Sequence, residues 1–177
     1  MRMFSLNKIL AACIACCVLA GPLAATADTR LASSYNPGSS CQLSIPTTDT
    51  SVRAKASGFR NESTSVSNFV ICPIHTPITT DYGPFISLYV HVEPIGFIER
   101  EVSCTAVVGL TSGSLQYSTK TYTFAHGGFN VYWQASDFNG TAEDPINYSD
   151  ISTITCLLPP QSLILFSGGN YYYDIGT

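Results

Sequence analysis

The chain has 177 residues, 45% of them hydrophobic and only 11% charged, and its eight basic and twelve acidic side chains leave a formal net charge of −4. So few Lys and Arg argue against nucleic acid as a partner, because a phosphate backbone needs clustered cations, and the acidic balance argues against adsorption to an anionic membrane. The length suits a single domain.

The chain opens MRMFSLNKILAACIACCVLAGPLAATA, with Arg2 and Lys8 in a short basic leader, an apolar run from Ile9 to Leu23, and an A-x-A pattern at Ala25, Thr26 and Ala27. This three-part layout predicts a secretory signal peptide over residues 1–27, cleaved after Ala27. The LAAC box at Leu10 to Cys13 also matches the site that precedes a lipid-modified cysteine. Only four residues separate Lys8 from Cys13, however, short of the roughly 7–15 residues that an apolar signal region needs. Cleavage after Ala27 leaves residues 28–177, enough for one domain that buries about 68–70% of its unfolded surface. Six basic and all twelve acidic residues remain in that mature chain, a formal charge of −6. No later apolar run approaches the roughly 20 residues that span a bilayer, since CLLPPQSLILF is broken by two prolines. The expectation is a secreted or periplasmic domain with no transmembrane segment.

Beyond a polar stretch, DTRLASSYNPGSS, the chain becomes short runs rich in Val, Ile, Thr, Tyr and Phe, separated by Gly, Pro, Asn and Asp. Strands are predicted near 41–46, 51–56, 66–73, 85–92, 99–108, 115–124, 129–134, 151–158, 162–166 and 170–175. No stretch holds a helical period over three turns. Ten short strands with turn residues between them predict an all-β chain, an antiparallel β-sandwich that is immunoglobulin-like or jelly-roll in topology. The order Cys104, Trp133, Cys156 matches the immunoglobulin hallmark but is common by chance, so the topology stays open.

Cys41, Cys72, Cys104 and Cys156 remain after the leader, an even number in an oxidising destination, and read as two disulfides. Four cysteines allow three pairings, among which sequence alone does not choose; sequential pairing, Cys41 with Cys72 and Cys104 with Cys156, is the expectation. No C-x-x-C follows the leader, so neither a zinc site nor a thioredoxin-like motif is supported, and no cofactor is expected.

The stretches VRAKASGFRNESTSVSNFVIC (52–72) and ITCLLPPQSLILFSGGNYYYDIGT (154–177) resemble an uncharacterised family of secreted proteobacterial proteins, in which a Cys-terminated FVIC and a TC-LPP element recur. The resemblance covers nearly the whole mature chain, including all four cysteines. It implies export and a compact β domain, and it carries no assigned activity.

The segment FNVYWQ (129–134) holds the only tryptophan. In a strand, alternate side chains face opposite ways, so Phe129, Val131 and Trp133 share one face and Asn130, Tyr132 and Gln134 the other. The apolar trio reads as core. Tyr132 between two amides is then the candidate ligand contact, since an aromatic ring covers the apolar face of a sugar while amides reach its hydroxyls. The bland alternative is an ordinary tyrosine on a solvated sheet. In FISLYVHV, His91 falls with Ser87 and Tyr89 on the polar side, which predicts a surface histidine.

The tail NYYYDIGT places Tyr171 and Tyr173 on one face and Tyr172 on the other, and a terminal strand of this kind could be donated to a neighbouring subunit in a pilus-like assembly. Such subunits carry an aromatic residue next to last, where this chain has Gly176. Glu99 and Glu101 in IEREVSC lie about 7 Å apart on one face of a predicted strand, a separation compatible with an inverting polysaccharide or cell-wall hydrolase. Charge alternating with apolar residues is also how a solvated strand edge is guarded.

GLTSG places Ser112 one position from a nucleophile elbow, with no helix to follow, and the AHGG of His126 to Gly128 reads as a turn. In DFNGTAED, Asp137, Asn139, Glu143 and Asp144 supply oxygens for calcium, but Gly140 comes too early for an EF-hand and no metal is expected. His75, His91 and His126 form no local pair. Asn61, Asn139 and Asn147 begin N-x-[ST] acceptor sequences. The reading is an exported, non-enzymatic binding or structural module, with no catalytic residue assigned, whose partner is a glycan or an envelope protein.

Overall fold

Strict alternation builds the strands. In Ile151–Leu158, and from Val102 onward in Arg100–Gly109, every second residue is buried, so each strand offers one apolar face to a core and one to solvent. The computed structural model describes residues 28–75, 82–109, 114–141, 145–146 and 151–176. Among these, eleven strands form: β1 (Thr29–Pro37), β2 (Gln42–Leu43), β3 (Val52–Lys55), β4 (Gly58–Asn61), β5 (Asn68–Pro73), β6 (Tyr82–Pro94), β7 (Arg100–Gly109), β8 (Leu115–Phe124), β9 (Phe129–Gln134), β10 (Ile151–Leu158) and β11 (Ser162–Asp174). The only described helical turns are short 3-10 turns at Gly38–Ser40 and Ala135–Phe138. No described helix is long and apolar enough to cross a membrane.

The strands make two antiparallel sheets. One runs β3-β4-β11-β6-β9, with β1 also lying along β11, and the other runs β2-β5-β10-β7-β8. The pairings have a simple rule: β4 pairs with β11, β5 with β10, β6 with β9, and β7 with β8. The strands from β4 to β11 thus form one long double-stranded ribbon, folded between β7 and β8 and rolled so that its plies alternate between two sheets. That order is a jelly roll.

It also removes the immunoglobulin alternative. Cys104 and Cys156 sit directly opposite each other on β7 and β10, neighbours in one sheet, whereas the immunoglobulin disulfide bridges two sheets. Cys41 bonds Cys72 in the same sheet, so both disulfides follow the sequential pairing.

The core lies between the sheets. Trp133, Leu88 and Val90 from the first sheet are fully buried, as are Val102, Ile154 and Leu158 from the second. Trp133 adds a polar tie, its Nε1 donating to the Ser118 carbonyl on β8 at 3.0 Å. An indole with a satisfied N–H can be buried at little polar cost.

Three elements depart from the sequence reading. β1 forms in the segment read as a polar lead-in: TRLASSYNP has weak strand propensity, and its nine residues are held by register with β11. β4 was absent from the predicted strands because Gly58 and Asn61 look like turn residues. The predicted strands 162–166 and 170–175 are one strand, β11, because Gly168 and Gly169 mark close approach and not a turn. A Cβ on Gly168 would collide with the Ser34 carbonyl, and one on Gly169 with the Phe85 ring. The predicted signal peptide lies outside the described residues.

Candidate functional site

The outer face of the first sheet is assembled from β1, β11, β6 and β9, and the register fixes what stands beside what. Leu88, Val90, Val131 and Trp133 point inward, so Ser87, Tyr89 and His91 on β6 and Asn130, Tyr132 and Gln134 on β9 point outward. The two other strands complete three rows across the sheet. Ser33, Asn170, Ser87 and Gln134 form a polar row. Tyr35, Gly168, Tyr89 and Tyr132 form an aromatic row, and Pro37, Phe166, His91 and Asn130 form a mixed row beyond it. Rows repeat every two residues, about 7 Å along the strands.

Each row is internally ordered. In the polar row Ser33 Oγ donates to Asn170 Oδ1 at 2.7 Å, and Asn170 Nδ2 donates to Ser87 Oγ at 2.9 Å. The aromatic row is a chain of tilted ring contacts, with centroids 5.8 Å apart for Tyr35 and Tyr89 and 5.5 Å for Tyr89 and Tyr132. Gly168 makes this possible, because any side chain there would occupy the space over which Tyr35 and Tyr89 meet. Phe166 closes the cluster, edge-on to Tyr35 at 5.4 Å and stacked on His91 at 4.8 Å.

The result is two exposed rings over a buried one: Tyr35 is 63% exposed and Tyr132 45%, while Tyr89 beneath them is 3% exposed. Burial, and then the neighbouring Tyr35, hold the Tyr89 phenol well above its ordinary value, so it stays neutral. A hydrogen-bond chain orients Tyr132: Glu93 Oε1 lies 3.2 Å from His91 Nε2, His91 Nδ1 donates to Asn130 Oδ1 at 2.7 Å, and Asn130 Nδ2 donates to the Tyr132 hydroxyl at 3.0 Å.

The structure therefore brings Asn130, Tyr132 and Gln134 onto one face, and adds seven side chains that the sequence reading did not join to them: Tyr35, Tyr89, Phe166, Ser33, Asn170, Ser87 and His91. Tyr89 and His91 were visible by alternation within FISLYVHV. Tyr35 was not, because it lies in the segment given no strand. His91 faces outward but is only partly exposed, covered by Phe166.

The other candidates scatter. Glu99 and Glu101 are both exposed, with Glu99 just before β7, and neither lines the described cleft. That cleft, about 360 Å³, is lined by Gln116, Ala135, Phe138, Asn139, Gly140, Pro145 and Ile146, none of which titrates. His126 and Gly127 sit in the loop between β8 and β9, His126 beside the exposed ring of Phe97. Asp137 is engaged elsewhere: it accepts from the Gln134 backbone N–H at 2.8 Å and pairs with Lys120 at 2.8 Å. Ser112, Glu143, Asp144 and Asn147 lie outside the described residues. Among the described residues no three His, Cys, Asp or Glu gather as a metal site.

Asn61 is fully buried, its amide donating to the Val66 and Leu158 carbonyls, so it is no acceptor for glycosylation in the folded protein. β11 is paired on both sides, by β1 and β4 on one and β6 on the other, so the tail presents no free edge to donate. Within the tail, Tyr171 is buried and Tyr172 is 48% exposed, as alternation predicts.

The β3–β4 hairpin gathers three cations, Arg53, Lys55 and Arg60, around Glu62. Lys55 above all holds the Glu62 carboxyl below its ordinary value. Comparison of the chain with protein-family models, with curated proteins and with solved structures finds no match.

Proposed function

We propose that this protein is an exported, non-enzymatic glycan-binding module that acts at or beyond the cell envelope, with the outer face of the first sheet as its binding surface. One observation carries the reading: an aromatic row with two exposed tyrosines lies between a row of hydroxyls and amides, Ser33, Asn170, Ser87 and Gln134, and a mixed row whose polar groups are His91 and Asn130. A sugar ring has apolar faces and a polar rim, so stacking on Tyr132 or Tyr35 sets its hydroxyls toward the flanking rows. Export is supported by the leader at residues 1–27 and by two closed disulfides, bonds that persist in oxidising compartments. A hydrolytic role has less support, since the two paired carboxylates are exposed and apart from the described cleft.

The test is a binding screen of the disulfide-intact protein against soluble glycans and insoluble polysaccharides, with sugar release assayed in the same tubes. Binding without release is the expected result. Tyr132→Ala should then weaken binding about tenfold, the value of one aromatic contact, while Tyr132→Phe keeps most of it. Release of sugar would make the protein a hydrolase, and capture of an envelope protein with no glycan bound would move the partner to that class.

A further inference from the structure

We infer that the ligand of this face is a neutral, linear oligosaccharide that lies across the strands, from Tyr132 on β9 to Tyr35 on β1, so that the N-terminal strand supplies the second half of the site. The inference rests on the glycan reading above and adds its direction, length and charge. Direction comes from the register. The two exposed rings stand at opposite ends of a single row, with Gly168 and the buried Tyr89 between them.

Length follows from ring spacing. Tyr35 lies 5.8 Å and Tyr132 5.5 Å from the Tyr89 ring between them, so the two exposed rings stand no more than about 11 Å apart, about the distance between the first and third pyranose rings of a linear chain. A single sugar can use one tyrosine; a trimer can use both.

Charge follows from what borders the row. Neither flanking row contains Lys or Arg. Of the carboxylates beside these rows, Glu93 lies 3.2 Å from His91 and Asp137 pairs with Lys120; of the cations in the sheet, Arg53, Lys55 and Arg60 are turned onto Glu62, and Arg30 alternates to the face opposite Ser33 and Tyr35. A sugar acid laid on the aromatic row would meet amides and hydroxyls but no counter-charge.

The competing path runs along the strands, from the aromatic row over Ser33 and Asn170 to Leu31 and Tyr172, which are also exposed. Tyr35→Ala and Tyr172→Ala separate the two. Both side chains are on the surface, so neither substitution should unfold the protein, and Tyr35→Phe preserves the ring as a control.

The experiment is titration calorimetry of the disulfide-intact protein with the mono-, tri- and pentasaccharide of whichever neutral glycan the screen returns, alongside an acidic oligosaccharide of equal length. The expected result is affinity that rises from mono- to trisaccharide and then levels. Tyr35→Ala should remove about tenfold of that gain while leaving the monosaccharide unaffected, and Tyr172→Ala should remove none. Glycan binding that does not rise with length, or a gain that Tyr172→Ala removes and Tyr35→Ala does not, overturns the placement while the glycan reading stands. Stronger binding of the acidic oligomer overturns the neutral assignment. Absence of binding to any glycan overturns the glycan reading itself and this inference with it.

Discussion

At the scale of single residues, buried polar side chains are few, and the Asn61 amide is one that finds all its partners within the protein. Asn61 has no exposure at all, yet its Nδ2 donates to the Val66 carbonyl at 2.8 Å and the Leu158 carbonyl at 3.0 Å, and its Oδ1 accepts from the Ser63 N–H at 3.1 Å. One side chain thus ties β4, the loop after it and the end of β10. Asn61→Ala strands those groups in the interior and should cost about 2–3 kcal/mol in urea unfolding; a loss within error of zero would mean that water replaces the amide. Tyr89 carries a different prediction. Its phenol titrates above the ordinary value in the folded state, so the stability it contributes is whole below about pH 10 and declines as pH rises past that point, where the unfolded chain ionises first. Tyr89→Phe should therefore be less sensitive to alkali, seen as a smaller fall in urea midpoint between pH 9 and pH 11.

At the scale of elements, β1 and β10 contrast. β10 is a central strand with every second side chain buried, whereas β1 lies at an edge with Asn36 its one buried residue. Backbone pairing to β11 holds β1 in place, and apolar burial contributes little. Amide hydrogen exchange should find β1 opening well before β10, and equal protection in the two would show that β1 is part of the global folding unit. The Cys41–Cys72 bridge closes a span of 31 residues a few positions beyond β1, and Cys104–Cys156 closes one of 52. In the chain-entropy model each contributes about 4 kcal/mol, so replacing either pair by Ser should lower unfolding free energy by an amount of that order, with Cys41–Cys72 also hastening exchange in β1.

For the whole molecule, the rolled ribbon makes most stabilising pairs distant in sequence. Asn61 lies against Ser162, and Cys72 lies against Ile154. Such pairings need long loops to close before any contact forms. Refolding with both disulfides intact should therefore be slow, in the range of milliseconds to seconds seen for all-β domains, and microsecond refolding would show that local hairpins dominate. The same non-locality brings the candidate site together, since its four strands come from both ends of the chain and from two places in the middle.

Period-two alternation is a local property, and it made much of this protein legible from sequence: the all-β class, the burial of Trp133, the outward set of Asn130, Tyr132 and Gln134, and the exposure of Tyr172. Cysteine parity was legible for the same reason, since it does not require knowing which strands are neighbours. Strand order was not. Whether Gly168 and Gly169 turn the chain or let two aromatic rings close over the backbone depends on what lies across the sheet from them. Nor could TRLASSYNP, the nine residues before Gly38, read as a strand, because β11 supplies the pairing that their own propensity does not. Tyr35 consequently joined Tyr132 only in the folded sheet: alternation says which face a side chain takes, and pairing across a hundred residues decides what stands beside it.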